Sequence, residues 1–353
     1  MSYFDNLQTL LPSINLEEYL DNIDILEFDD THFRIFEKSS NNQYTVYINN
    51  NKDIDSKKFS VDSLNYYEDF GLFYKNYCEF LIDKDGTAID NQEFIIGNLK
   101  VTIDKRPSLL FLIAHYDLLN DEIFSSNVTD GGISLLSITG DDLTLQNIEQ
   151  NLSKAQFILG YYDEAFYKHY PQYYKWEDGF DTSNGVSKEV FELRRRNNIH
   201  TIDGCFPDFK YPEAIQFYNA GLSLNGSQLA FQYFYKILEY FWGVLNEKPK
   251  ETRFKKEREQ LQILISSIKS EITHLISSAM NKGHIKKEDN YEEAIILFSD
   301  KLYNYRCDIV HAKSDTKYTV ELPSILDKAK GDFWINVTKQ LAEILIETHC
   351  IVK

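Results

Sequence analysis

The apolar residues of this 353-residue chain change their period part-way along it, and that change sets up two folding units. In the first half they alternate with polar residues or cluster with β-branched and aromatic ones, as in His32–Glu37, Tyr44–Ile48, Phe94–Ile103 and Ile133–Ile138. A period of two lays one face of a strand on a core. Turn-forming residues stand between these runs, at Asn49–Asn51, Asp85–Gly86, Asp130–Gly132 and Gly140–Asp142. Helices are expected around Pro107–Leu119 and Leu145–Ile158.

From Glu213 onward the spacing is helical. Leu229–Leu245 is apolar almost all round and reads as a buried helix. Its polar residues Gln232, Lys236 and Glu239 fall on one stripe, where Glu239 reads as the partner of Lys236. Leu261, Leu264, Ile268, Ile272, Leu275 and Ala279 mark a second helix. A third opens at Asp289–Glu293, with a polar cap and first-turn acids, and carries Ile295, Phe298, Leu302, Tyr305 and Ile309. A fourth runs from about Asp332 to Cys350. The expectation is an α+β chain. Residues 1–180 form an acidic, strand-rich domain that senses a trigger or regulates, and residues 186–353 form a helical domain whose part from Glu213 onward is a bundle.

Charge divides the same way. Residues 1–190 hold 33 acids against 14 bases, a net of −19; residues 191–353 hold 22 against 23, a net of +1, and the two sum to the chain's −18. The first half should repel nucleic acid, whereas the second need not. The four cysteines include no CxxC pair, which argues against a disulfide scaffold and a zinc ribbon, so no metal and no cofactor are expected. No run has the length of a membrane span, and the first residues lack a basic leader, so a cytoplasmic protein with no membrane partner is expected.

The third helix of the bundle ends in Arg306-Cys-Asp-Ile-Val-His311. Five helical residues separate the two cations by about 140° and ~7.5 Å along the axis, so they converge only with the help of a neighbour. Asp308, three before His311, stands where a carboxylate orients an imidazole. An imidazole exchanging protons with a ribose 2′-OH or a 5′-oxygen, beside a guanidinium neutralising the phosphoryl charge, is the chemistry of RNA cleavage without metal. Arg195…His200 repeats the spacing but precedes the bundle, so context separates the two. Lys313 and the basic run with Lys255, Lys256 and Arg258 read as RNA-binding cations.

On Arg306…His311, on the aromatic helix Phe231–Trp242 and on Pro212–Ala220 before it, residues 210–353 resemble the HEPN superfamily, in its Apea-like branch. The resemblance implies a metal-independent endoribonuclease with Arg306 and His311 as its catalytic pair. It also implies a homodimer built through the helical domain, and a role in bacterial antiviral defence with cellular RNA such as tRNA as substrate. Cys307 stands where that family usually has a polar residue, leaving Asp308 as the substitute; Lys313 stands where the two-component toxin branch has Tyr. The alternative expectation is a non-catalytic HEPN-like module that dimerises and binds a protein or nucleic acid.

Overall fold

The computed structural model describes residues 3–49, 58–67, 71–82, 92–104, 106–120, 134–162, 205–206, 208–224, 228–245, 256–310 and 328–350. The chain divides into two compact units, residues 1–185 with 197–206, and residues 186–196 with 207–353. Strands and an antiparallel architecture occupy the first, helices the second.

The first unit opens with helix α1 (Tyr3–Leu10). A four-stranded antiparallel meander follows: β1 (Ile23–Phe28), β2 (His32–Glu37), β3 (Asn42–Ile48) and β4 (Phe59–Val61), in that spatial order. Phe33, Ile35 and Glu37 alternate inward along β2, all of them buried. The second sheet has seven strands: β5 (Asn65–Tyr67), β6 (Gly71–Tyr74), β7 (Tyr77–Ile82), β8 (Gln92–Ile96), β9 (Leu99–Asp104), β10 (Ser134–Thr139) and β11 (Cys205–Phe206). Their spatial order is β11-β8-β9-β10-β7-β6-β5. Every pairing is antiparallel except that of β11 with β8. The strand expected over Phe94–Ile103 is therefore a hairpin. Gly97 takes the left-handed turn at φ 59, and Ile96 stands opposite Leu99.

Helix α2 (Leu109–Ala114) is buried from Leu109 to Ile113 and joins residues of both sheets in one core, with Phe33, Ile35 and Val46 from the first and Leu72, Leu81 and Leu135 from the second. Helix α3 (Ile148–Tyr162) completes the described part of the unit.

The second unit contains α4 (Pro212–Ser223), α5 (Gln228–Leu245), α6 (Glu257–Ser267), α7 (Thr273–Asn281), α8 (Tyr291–Val310) and α9 (Lys328–His349). Helix α5 packs against α4, α6, α8 and α9. Its buried face holds Phe231, Phe234, Ile237, Leu238 and Phe241. The helix expected over Leu261–Ala279 is two, α6 and α7. Ser267 Oγ donates back to the Leu264 carbonyl at 2.6 Å, and Ile268 and Glu271 make tight three-residue backbone bonds. Ile268 and Ile272 stay buried across the break, so the apolar phase carries through it. Helix α8 buries Ile295, Phe298, Leu302 and Tyr305 as the spacing predicts, while Ile309 is half-buried. Trp334 of α9 is fully buried against Phe298 and Tyr305.

Candidate functional site

Arg306 sits on the next-to-last turn of α8 with 18% of its side chain exposed. Its Nη2 donates to Glu239 Oε1 of α5 at 3.1 Å, and its Nη1 lies 3.8 Å from Glu257 Oε2 of α6. The guanidinium carbon is 5.8 Å from the centre of the Tyr235 ring. One arginine thus gathers three helices. Burial alone pulls its proton affinity down; the carboxylates of Glu239 and Glu257 outweigh that and hold it above its ordinary range.

Glu239 is therefore the partner of Arg306 rather than of Lys236. The Lys236 ammonium instead lies over two aromatic faces, 4.8 Å from the Tyr233 ring and 5.5 Å from that of Phe217. The Tyr235 hydroxyl is buried beside the guanidinium with no hydrogen-bond partner among the described residues, and burial raises its pKa strongly.

The α6–α8 seam continues this polar row. Arg258 Nη2 donates to Asn304 Oδ1 at 2.8 Å, and its Nε lies 3.5 Å from Asp300. Gln262 donates to the same carboxylate at 2.9 Å. Arg258, expected to meet RNA, is thus committed to α8, with 42% of its side chain still exposed. Lys256 is exposed at the N-cap of α6. Asp308 is half-buried on α8. His311, Lys313 and Lys255 lie outside the described residues, as do Arg195 and His200 of the second motif. Cys307 and Cys350 are buried, and burial pushes the Cys350 thiol up to about 12.

Sequence reasoning passed over a second constellation, in the first unit. Glu37 and Glu79 are fully buried carboxyls. Ser108 N donates to Glu79 Oε1 at 2.9 Å and Tyr77 Oη to Glu79 Oε2 at 2.8 Å; Ser108 Oγ donates to the same Oε2. Leu109 N donates to Glu37 Oε1 at 2.8 Å and Tyr44 Oη to Glu37 Oε2 at 3.3 Å. Ser108 Oγ also accepts from Phe111 N at 3.0 Å, so the amides opening α2 are satisfied although they are buried. Burial pushes both carboxyls up to about 7, and Glu37 adds to the effect on Glu79. A cavity of ≈ 340 Å³ reaches Glu79, Tyr77 and Ser108, past Tyr19, Lys100 and Arg106. The cross-strand row Glu79–Ser137–Thr102 crosses its sheet face. The signal was there: Glu79 interrupts the otherwise apolar run of β7, and Glu37 is in phase with Phe33 and Ile35.

Among the described residues, Glu27, Asp29 and His32 could bring three ligand atoms to a metal ion. Their contacts argue otherwise. Asp29 Oδ1 accepts from Thr31 N, Thr31 Oγ1 and His32 N, and these bonds, the Thr31 hydroxyl first, lower Asp29 to about 2. Glu27 pairs with Arg34 at 3.0 Å, and the two carboxylates address opposite nitrogens of the His32 ring.

Comparison with protein families, with curated proteins and with solved structures finds no match to this chain. Among the described residues, no helix is long and apolar enough to cross a membrane.

Proposed function

We propose that the helical unit is a metal-independent endoribonuclease of the HEPN type, acting as a homodimer on cellular RNA. The observation that carries this reading is the sequence motif Arg306-x4-His311, whose Arg306 sits on the next-to-last turn of a 20-residue helix with its other face in the core. In it, His311 exchanges the proton of the attacking 2′-OH or of the leaving 5′-oxygen. Arg306 neutralises the charge that builds on the phosphoryl oxygens, and a 2′,3′-cyclic phosphate is left. Glu239 holds the Arg306 fork, so the guanidinium reaches substrate only as a phosphate competes with that carboxylate. Asp308 orients the imidazole, while Lys313, Lys255, Lys256 and Arg258 supply phosphate contacts. The acidic first unit receives the trigger or inhibitor, and antiviral defence in a bacterial cytoplasm is the setting this reading implies.

The test is incubation of the purified full chain with total RNA in EDTA, beside Arg306→Ala and His311→Ala. Cleavage by the wild type that both variants lose supports the proposal. Equal cleavage by all three, or none by any, removes it.

The ion pairs of Arg306 favour a second reading. An arginine already bound to two carboxylates is a structural pin, and the bundle is then a non-catalytic module that dimerises and binds a protein or nucleic acid. On that reading Arg306→Ala weakens the fold, His311→Ala changes nothing, and no RNA product forms.

A further inference from the structure

Glu37 and Glu79 come from different sheets. Glu37 ends β2 of the four-stranded sheet, and Glu79 lies within β7 of the seven-stranded one. Both accept from consecutive backbone amides, those of Leu109 and Ser108. The helix that these amides begin is apolar throughout, and it lies in the core that the two sheets share. The start of α2 is therefore a place where both sheets are tied to one point.

The groups bonded to the two carboxyls are neutral donors, while Glu18, Lys100, Asp104 and Arg106 line the cavity that reaches Glu79. Tyr44 of β3 faces Glu37; Tyr77 of β7 and Ser108 face Glu79. Tyr19 lies within electrostatic range of both carboxyls, with Glu18 and Arg106 beyond it, and its hydroxyl donates to the Pro107 carbonyl at 3.0 Å. Cys78, next to Glu79 on β7, is a buried thiol. Among the described residues, the hydrogen bonds and ion pairs of the two carboxyls include no lysine, arginine or histidine. Two neighbouring carboxyls to which no cation is bonded do not both ionise without strain on the surrounding structure. The ≈ 340 Å³ cavity at Glu79 gives protons and water a way in.

We propose that the start of α2 is a proton-operated joint: with a proton on the Glu37–Glu79 pair it ties the two sheets together, and with both carboxyls ionised it loosens, freeing the first turn of α2 beside the cavity. A protonated carboxyl still accepts the backbone amide through its carbonyl oxygen and turns its own O–H to a neighbouring hydroxyl, so every bond is kept. Loss of the last proton instead sets two anions against each other in a poorly screened interior. The sign follows from the folded values. Both carboxyls stand at about 7 in the fold against 4.5 when free, so their stabilisation is complete below 4.5 and is lost as pH rises through 7.

The test is hydrogen exchange in the full chain, followed by mass spectrometry over the peptide containing residues 108–113, from about pH 5.5 to about pH 8.5 with intrinsic rates corrected. Protection should fall by at least ~10-fold across that window in the wild type, one pKa unit being a factor of ten. The Glu37→Gln/Glu79→Gln double variant, which imitates the protonated pair, should hold its protection constant. Flat protection in the wild type, or an equal loss in the double variant, overturns the proposal. If the double variant does not fold, infrared difference spectroscopy of the wild type decides: a protonated-carboxyl band that disappears through neutral pH supports the joint, and its absence at about pH 5.5 overturns it.

Discussion

A guanidinium between two carboxylates contributes to a fold in a way that a solvated one does not. Arg306 is mostly buried, and its removal leaves Glu239 half-buried beside the Tyr235 hydroxyl, which has no hydrogen-bond partner among the described residues. Arg306→Ala should cost about 1–3 kcal/mol in denaturant unfolding of the full chain, the range for leaving a half-buried charged partner without its hydrogen bond. Arg306→Lys should recover only part of that, because an ammonium cannot span Glu239 and Glu257 as a fork does. At this scale the sequence exposed the arginine but not its partners. Glu239 was visible as a member of a polar stripe, yet Lys236, three residues before it, was the nearer cation along the chain. Only the packing of α8 on α5 brings Arg306 closer. Glu79 stayed hidden because a charged residue in an apolar strand looks like an exposed edge until both sheet faces are seen to be covered.

Elements were legible where their apolar period was uninterrupted, as in α5, α8 and β2. They were misjudged where the period continues through a break. The residues from Leu264 to Ile272 keep a helical phase while the backbone stops and restarts, and the hairpin at Gly97 joins two strands whose patterns run together. Two substitutions test the packing at this level. A Cβ on Gly221 of α4 would come to 2.5 Å from the buried Phe234 ring of α5, so Gly221→Ala should destabilise the bundle by about 1–3 kcal/mol, measured by urea titration. Ser108→Ala removes the cap of α2 and a donor to Glu79, at about 1–2 kcal/mol. Its effect should be larger at about pH 5.5 than at about pH 8, where ionisation of the pair already loosens the first turn of α2 in the wild type.

For the whole molecule, the −18 charge bears directly on how any RNA activity is measured. All of the excess lies in residues 1–190, which carry −19 against +1 for the rest, so RNA association should be weak at low salt and should strengthen when neutral substitutions replace surface acids there, as read by fluorescence anisotropy. The chain's pI of about 4.9 sets the solubility minimum, so assays belong well above it. Within the first unit the pH response runs the other way, with the α2 joint firmer in mild acid.

Strand β11 is only two residues long, yet it closes the β8 edge of the large sheet, with Gly97 N donating to the Phe206 carbonyl at 2.9 Å and the Phe94 and Phe206 rings meeting edge to face. During synthesis the ribosome must therefore pass residue 206 before the N-terminal sheet can acquire its last strand. A fragment cut at residue 185 lacks that strand and leaves β8 open to pairing with another molecule, whereas one carried through Phe206 can seal itself.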